Sequence, residues 1–208
     1  MVAIANPNQP IEAMLSLKQM NNICKLAEKF GSLVIIDEAY YHFNNVTAQS
    51  LIKSCQNLIV VRTFSKAFGV AGMRIGYTIS NKKIIGYMLS IKPIYEINAF
   101  NMKLVRILIK NIKVMKNYVK EVHKGRMILK KFLNKQNIEM IGKYSNTVLF
   151  KLESKIKVDK VIKYLFKNKF IVRPMKIDND DKYIRATLGS SKIMKKFTSK
   201  LKLALKLN

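Results

Sequence analysis

Residues 33–38 read Leu33-Val34-Ile35-Ile36-Asp37-Glu38, an apolar run that stops abruptly in two carboxylates. The run is too short for a helix and too uniformly apolar for a half-exposed strand, so it reads as a strand buried on both faces of a parallel sheet. Leu58-Ile59-Val60-Val61 repeats the pattern and ends in Arg62-Thr63-Phe64-Ser65-Lys66. Working outward, Val2–Ala5 gives an earlier strand that runs into the turn-rich Asn6-Pro7-Asn8-Gln9-Pro10. Met20, Ile23, Cys24, Ala27 and Phe30 recur at helical spacing, with Gly31 placed to stop the helix. A further strand, Ile75–Ile79, follows a loop holding Gly69, Gly72 and Gly76. Strands alternating with helices at this spacing predict βαβ units: an α/β fold with a mostly parallel sheet and flanking helices.

Residues 81–134 read as helix throughout, interrupted near Lys92-Pro93. Shorter strands follow at 139–141, 147–152, 170–173 and 183–188, with helices around 160–166 and 191–205, as expected of a smaller α+β domain. The predicted division is a cofactor-binding large domain over 1–118, including the start of an interdomain helix, and a small C-terminal domain over 119–208.

The formal charge of +27 comes from 39 basic against 12 acidic residues. All but six of those bases are lysine, and Lys, Asn and Ile are the residues an AT-rich coding sequence favours. The charge therefore reads as solvated helix faces. In 192–206, for instance, Ile193, Phe197, Leu201 and Leu205 form one apolar stripe set among lysines. A basic nucleic-acid-binding protein is the alternative from another functional class, and it predicts steeply salt-dependent duplex binding. Against the lysine background, each arginine hints that a planar, bidentate donor is wanted. Cys24 and Cys55 are the only cysteines, too few for a disulfide scaffold, and they read as buried thiols. His42 and His123 do not pair with them at metal-ligand spacing, so no metal is expected. The chain shows neither a long uncharged run nor a basic-then-apolar leader, and the expectation is a cytoplasmic protein with no membrane contact.

In open parallel sheets ligands bind beyond the carboxyl ends of the strands. Three polar clusters fall there: Asn6–Gln9, Asp37–Tyr40 and Thr63–Arg74. A carboxylate closing a buried run wants a cationic partner, which predicts something positive beside Asp37. Lys66, between Ser65 and Ala67, is hard to explain as a solvated charge. Arg74, beyond clustered glycines, suggests an anion held near close-packed backbone. Pyridoxal 5′-phosphate offers a ring nitrogen, an aldehyde and a phosphate to meet these three groups.

The residues Thr63-Phe64-Ser65-Lys66-Ala67-Phe68-Gly69-Val70-Ala71-Gly72-Met73-Arg74-Ile75-Gly76 resemble the lysine motif of the class I/II aminotransferases of fold type I, nearest the histidinol-phosphate aminotransferase branch. Ile36-Asp37-Glu38-Ala39-Tyr40 resembles that family's Asp-x-x-Tyr motif, and Tyr183-Ile184-Arg185-Ala186-Thr187-Leu188-Gly189 its carboxylate-binding arginine strand. The resemblance implies that Lys66 bonds the cofactor aldehyde and then moves a proton at the substrate. It gives Asp37 the pyridine nitrogen, Tyr40 the phenolic oxygen, and Arg74, Thr63 and Ser65 the phosphate. Arg185 takes the substrate α-carboxylate and Arg173 a distal group. Where the family reads Asn-Asn-Pro-Thr-Gly, this chain has Asn8-Gln9-Pro10-Ile11-Glu12, which puts Gln9 in the place of an asparagine that donates to the phenolic oxygen.

The implied function is transfer of an amino group between an amino acid or amino-phosphate and a 2-oxo acid, in a homodimer when complete. Decarboxylation of a phosphorylated amino acid is the alternative on the same fold. The chain starts at a strand near the middle of a typical family member. It is therefore expected to be a fragment or truncated, inactive copy that binds cofactor weakly or not at all alone.

Overall fold

The computed structural model describes residues 1–94 and 96–207. Its contacts divide the chain into two units, Met1–Met115 and Lys116–Asn208.

In the first unit β1 (Val2–Ala5), β2 (Val34–Asp37), β3 (Leu58–Thr63) and β4 (Gly76–Ser80) lie side by side in sequence order. β1, β2 and β3 are parallel and in step, with Ile4 opposite Ile36 and Ile36 opposite Val60. The crossover from β1 to β2 is α1 (Leu17–Lys29), opened by a capping box between Ser16 and Gln19 and closed at Gly31 with φ +60°. Its buried stripe of Met20, Cys24 and Ala27 packs in one cluster with Val34, Ile36, Leu58 and Val60, the alternate residues of β2 and β3. Each such side chain contributes roughly 1.5–3 kcal/mol by leaving water.

α2 (Tyr41–Asn44) and a 3₁₀ turn at Gln49–Lys53 lead into β3. From β3 to β4 the chain has only a loop with a 3₁₀ turn at Ala71–Met73. Without a crossover helix it cannot return to the far end of the sheet, so β4 pairs antiparallel, Gly76 opposite Thr63. This antiparallel edge strand is what makes the sheet mostly, rather than wholly, parallel.

α3 (Lys82–Ile91) and α4 (Ala99–Lys110) follow, capped by Asn81 and Asn98. The helical stretch breaks at one more place than its periodicity suggests. Asn111 takes φ −106° and ψ 37°, outside the helical basin, and separates α4 from α5 (Ile112–Lys135).

In the second unit β5 (Met140–Ile141), β6 (Thr147–Lys151), β7 (Arg173–Ile177) and β8 (Asp180–Thr187) form an antiparallel sheet in the order β5-β6-β8-β7. Val148, Phe150, Ile184 and Ala186 share one buried face by strand alternation. α6 (Lys155–Lys167) and α7 (Ser191–Ala204) add Val158, Val161, Leu165, Phe197 and Leu201 to the core.

The third strand of this unit lies later than the apolar run at 170–173 suggests. It begins at Arg173, runs through Pro174 and turns back at once through Asp178 and Asn179, whose φ values of 46° and 71° make a tight hairpin. Pro174 is tolerated because β7 is an edge strand.

Candidate active site

The common register of the parallel strands brings their carboxyl ends to one edge, with Ala5 opposite Asp37 and Asp37 opposite Val61. Beyond β1, the buried amide of Asn6 braces the loop, accepting from Leu15 N–H at 2.8 Å and donating to the Leu15 carbonyl at 3.3 Å. Asn8 is exposed on this loop, and Gln9 donates to the Glu12 carboxylate at 3.3 Å.

At the end of β2, alternation sends neighbouring carboxylates in opposite directions. Asp37 is exposed, and its Oδ1 accepts from Ala39 N–H at 2.9 Å. Glu38 is 1% exposed and forms an ion pair of 2.9 Å with Arg62, itself 6% exposed. The sequence reading placed the cost of burial, and hence the cationic partner, on Asp37. Of the two carboxylates it is Glu38 that is buried and paired, following the even-numbered Val34 and Ile36 that pack with α1, whereas Asp37 is exposed. The pair went unassigned from sequence, although an arginine closing an apolar strand of a lysine-rich chain was a usable signal.

The Lys66 loop is held by its own backbone. Phe64 N–H donates to the Ile75 carbonyl at 3.1 Å and Gly69 N–H to the Lys66 carbonyl at 3.1 Å. The Thr63 hydroxyl accepts from Ser65 N–H at 3.0 Å and donates to the Ile75 carbonyl at 3.3 Å. Lys66 Nζ lies 5.4 Å from the centre of the Tyr40 ring, and Tyr40 is 8% exposed. Arg74 is exposed in a left-handed conformation (φ 54°, ψ 43°), its Nη1 donating to the Ala71 carbonyl at 3.0 Å. Behind the loop, Phe68 packs on Phe64 at 4.7 Å and meets the His42 ring edge-on at 5.2 Å. Burial, and then the charge of Arg62, hold His42 below the usual imidazole range. Its Nε2 is buried with no partner among the described residues.

In the first unit Asp37 closes β2, Thr63 closes β3, Lys66 lies over Tyr40 and the Asn8–Gln9 loop follows β1, while Arg74 stands on the loop that enters β4. The other candidates lie in the second unit, where Arg173 and Arg185 face each other across β7 and β8. Arg173 is exposed, whereas Arg185 is half-buried and its Nε lacks a partner among the described residues. No group of three His, Cys, Asp or Glu among the described residues is placed to hold a metal, and no described helix is long and apolar enough to cross a membrane.

Comparison with known proteins bears on the family. The histidinol-phosphate aminotransferase of Caldanaerobacter subterraneus subsp. tengcongensis is 37% identical over 155 residues, which is 74% of this chain and 43% of the relative. The crystal structure of the histidinol-phosphate aminotransferase from Clostridium acetobutylicum matches with a TM-score of 0.79 at 28% identity, over 99% of this chain and 64% of that one. A decarboxylase from Sulfurospirillum multivorans matches with a TM-score of 0.82 at 29% identity, over 99% of this chain and 55% of that one. The chain spans about half the length of the relatives it matches. Other structures of this fold include complexes with pyridoxal 5′-phosphate. Residues 1–201 match the model of aminotransferase class I and II, and the chain belongs to that pyridoxal-phosphate-dependent family.

Proposed function

We propose that the first unit is the lysine-bearing part of an aminotransferase that moves an amino group between an amino acid or amino-phosphate and a 2-oxo acid. The observation that carries this reading is the placement of Lys66 Nζ over Tyr40, on the edge that also presents Asp37. The donor set fits pyridoxal 5′-phosphate. Asp37 Oδ2, the Lys66 amine and the Ser65 hydroxyl have no hydrogen-bond partner among the described residues, and Arg74 adds an exposed guanidinium. When bound, that group supplies a conjugated pyridinium able to take up electrons from a substrate carbon.

The chain's own residues then have distinct tasks. Asp37 would hold the protonated ring nitrogen, and a charge-assisted hydrogen bond of this kind contributes about 1.5–3 kcal/mol. Lys66 would bond the aldehyde and, when free, would be the amine that takes and returns the substrate Cα proton. Tyr40, with Asn8 and Gln9 on the neighbouring loop, would bind the phenolic oxygen. Arg74 and Ser65 would hold the phosphate, while the Thr63 hydroxyl shapes the loop. In the second unit, the unpartnered Nε of Arg185 suits the fork to a substrate carboxylate, and Arg173 a distal group. The complete enzyme is read as a cytoplasmic homodimer.

The test is reductive trapping, which fixes irreversibly even a cofactor that the chain alone holds weakly: the chain is mixed with excess pyridoxal phosphate, treated with borohydride and mapped by peptide mass spectrometry. Label concentrated on Lys66, and lost in Lys66→Ala, supports the reading. Label spread over the lysines according to their exposure overturns it. Decarboxylation is a second reading, favoured by the likeness to the Sulfurospirillum decarboxylase. Release of CO₂ from a phosphorylated amino acid, in place of a new amino acid formed from added 2-oxo acid, would select it.

A further inference from the structure

We propose that Glu38 and Arg62 are positioning residues, a buried clasp behind the sheet edge that sets Asp37 and Tyr40 against Lys66. The proposal deepens the reading above and rests on Lys66 being the cofactor-bearing amine.

Glu38 directly follows Asp37, and Arg62 precedes Lys66 by one short turn of chain. The two lie next to each other on adjacent parallel strands, one step beyond the Asp37–Val61 pair. Alternation puts them on the face covered by α1, while Asp37 and Thr63 project from the other. The clasp is densely hydrogen-bonded. Glu38 Oε1 accepts from Ala48 N–H at 2.6 Å, and Oε2 accepts from Arg62 Nε and the Thr47 hydroxyl, each at 2.9 Å. Arg62 Nη2 donates to Thr47 Oγ1 at 2.8 Å and to Gln49 Oε1 at 3.2 Å. The guanidinium stacks 3.6 Å from the centre of the Tyr41 ring, next in sequence to Tyr40. Arg62 therefore ties the Lys66 strand at once to the β2 carboxyl end, to the following turn and to the residue beside Tyr40.

A buried ion pair is a weak source of stability, since well-packed apolar residues of similar volume often serve as well or better. What an apolar pair does not supply is the directional fork, which fixes two strand ends in angle as well as distance. That separation of stability from geometry makes the clasp testable. The double variant Glu38→Met/Arg62→Met leaves no unpaired charge, and Arg62→Lys keeps the charge but loses the fork.

The measurements are melting temperature, the fraction of pyridoxal phosphate trapped by borohydride on Lys66, and the pH midpoint of the lysine-bound chromophore's absorbance. The double variant is expected to melt within about 5 °C of the parent, with trapping on Lys66 reduced about tenfold or more, as displacement of a reacting group entails. Arg62→Lys is expected to stay folded, trap to an intermediate extent and shift the pH midpoint. It carries the test if the double variant does not fold. Folded variants that match the parent in trapping and midpoint overturn the clasp and leave the function standing. A parent chain that shows no preference for Lys66 overturns the function, and the clasp's role with it.

Discussion

The Lys66 ammonium nitrogen sits 5.4 Å from the centre of the Tyr40 ring, so a lysine loop after β3 and a turn after β2 meet at one point. A cation over an aromatic face, with the lysine only half-buried as here, is worth about 0.5–1 kcal/mol. Tyr40→Phe keeps the ring but loses the hydroxyl assigned to the phenolic oxygen, and is predicted to trap less on Lys66 than the parent but more than a variant without the ring. Tyr40→Leu removes the face and is predicted to lower trapping about two- to five-fold below Tyr40→Phe, the equivalent of that energy. Quantitative peptide mapping of the two variants checks this.

His42 makes the fold sensitive to mild acid. Its folded-state pKa is lowered from 6.5 by burial and then by Arg62. As the pH falls through 6.5 the unfolded chain takes up a proton that the folded chain refuses, so stability declines from there down to the folded pKa. His42→Phe, which keeps an aromatic against Phe68, is predicted to remove this decline. Melting curves between pH 7 and pH 5 compare the two proteins.

Glu121 acts in a lower range. Hydrogen bonds from Lys124 first, and then from the Ser191 hydroxyl and N–H, bring its pKa from 4.5 to about 2. The carboxylate thus favours the folded state above pH 4.5, and that contribution is lost as the pH falls from 4.5 through about 2. Glu121→Gln is predicted to flatten this part of the stability profile. The effect should shrink in high salt, because the Lys124 partner is largely exposed.

Gly76 is required by packing. A Cβ there would meet the Arg62 carbonyl oxygen at 2.7 Å, and a backbone atom in a sheet cannot step aside cheaply. Gly76→Ala is predicted to destabilise the chain by about 1–3 kcal/mol in denaturant titration.

The chain's alternation of apolar runs with helical stripes was enough to read β1 to β4, α1 and the carboxyl-edge location of the polar clusters. In those segments burial and periodicity act on the same residues. The reading failed where a backbone detail decides. Asn111 breaks a helix without a proline, and the Asp178-Asn179 hairpin moves a strand past the apolar residues at 170–172. It also failed where strand parity decides, since Asp37 and Glu38 are adjacent carboxylates and only the register shows which is buried. The clasp partner Arg62 lies 24 residues from Glu38, so an arginine closing a strand marks a candidate without naming its partner.

The most direct measurement is a crystal structure of the chain after reductive trapping with pyridoxal phosphate. The account predicts continuous density from Lys66 Nζ into the ring, with an Asp37 carboxylate oxygen within about 3 Å of the ring nitrogen and the Arg74 guanidinium on the phosphate. Density on another lysine, or a Lys66-bound ring whose nitrogen is out of reach of Asp37, would contradict it.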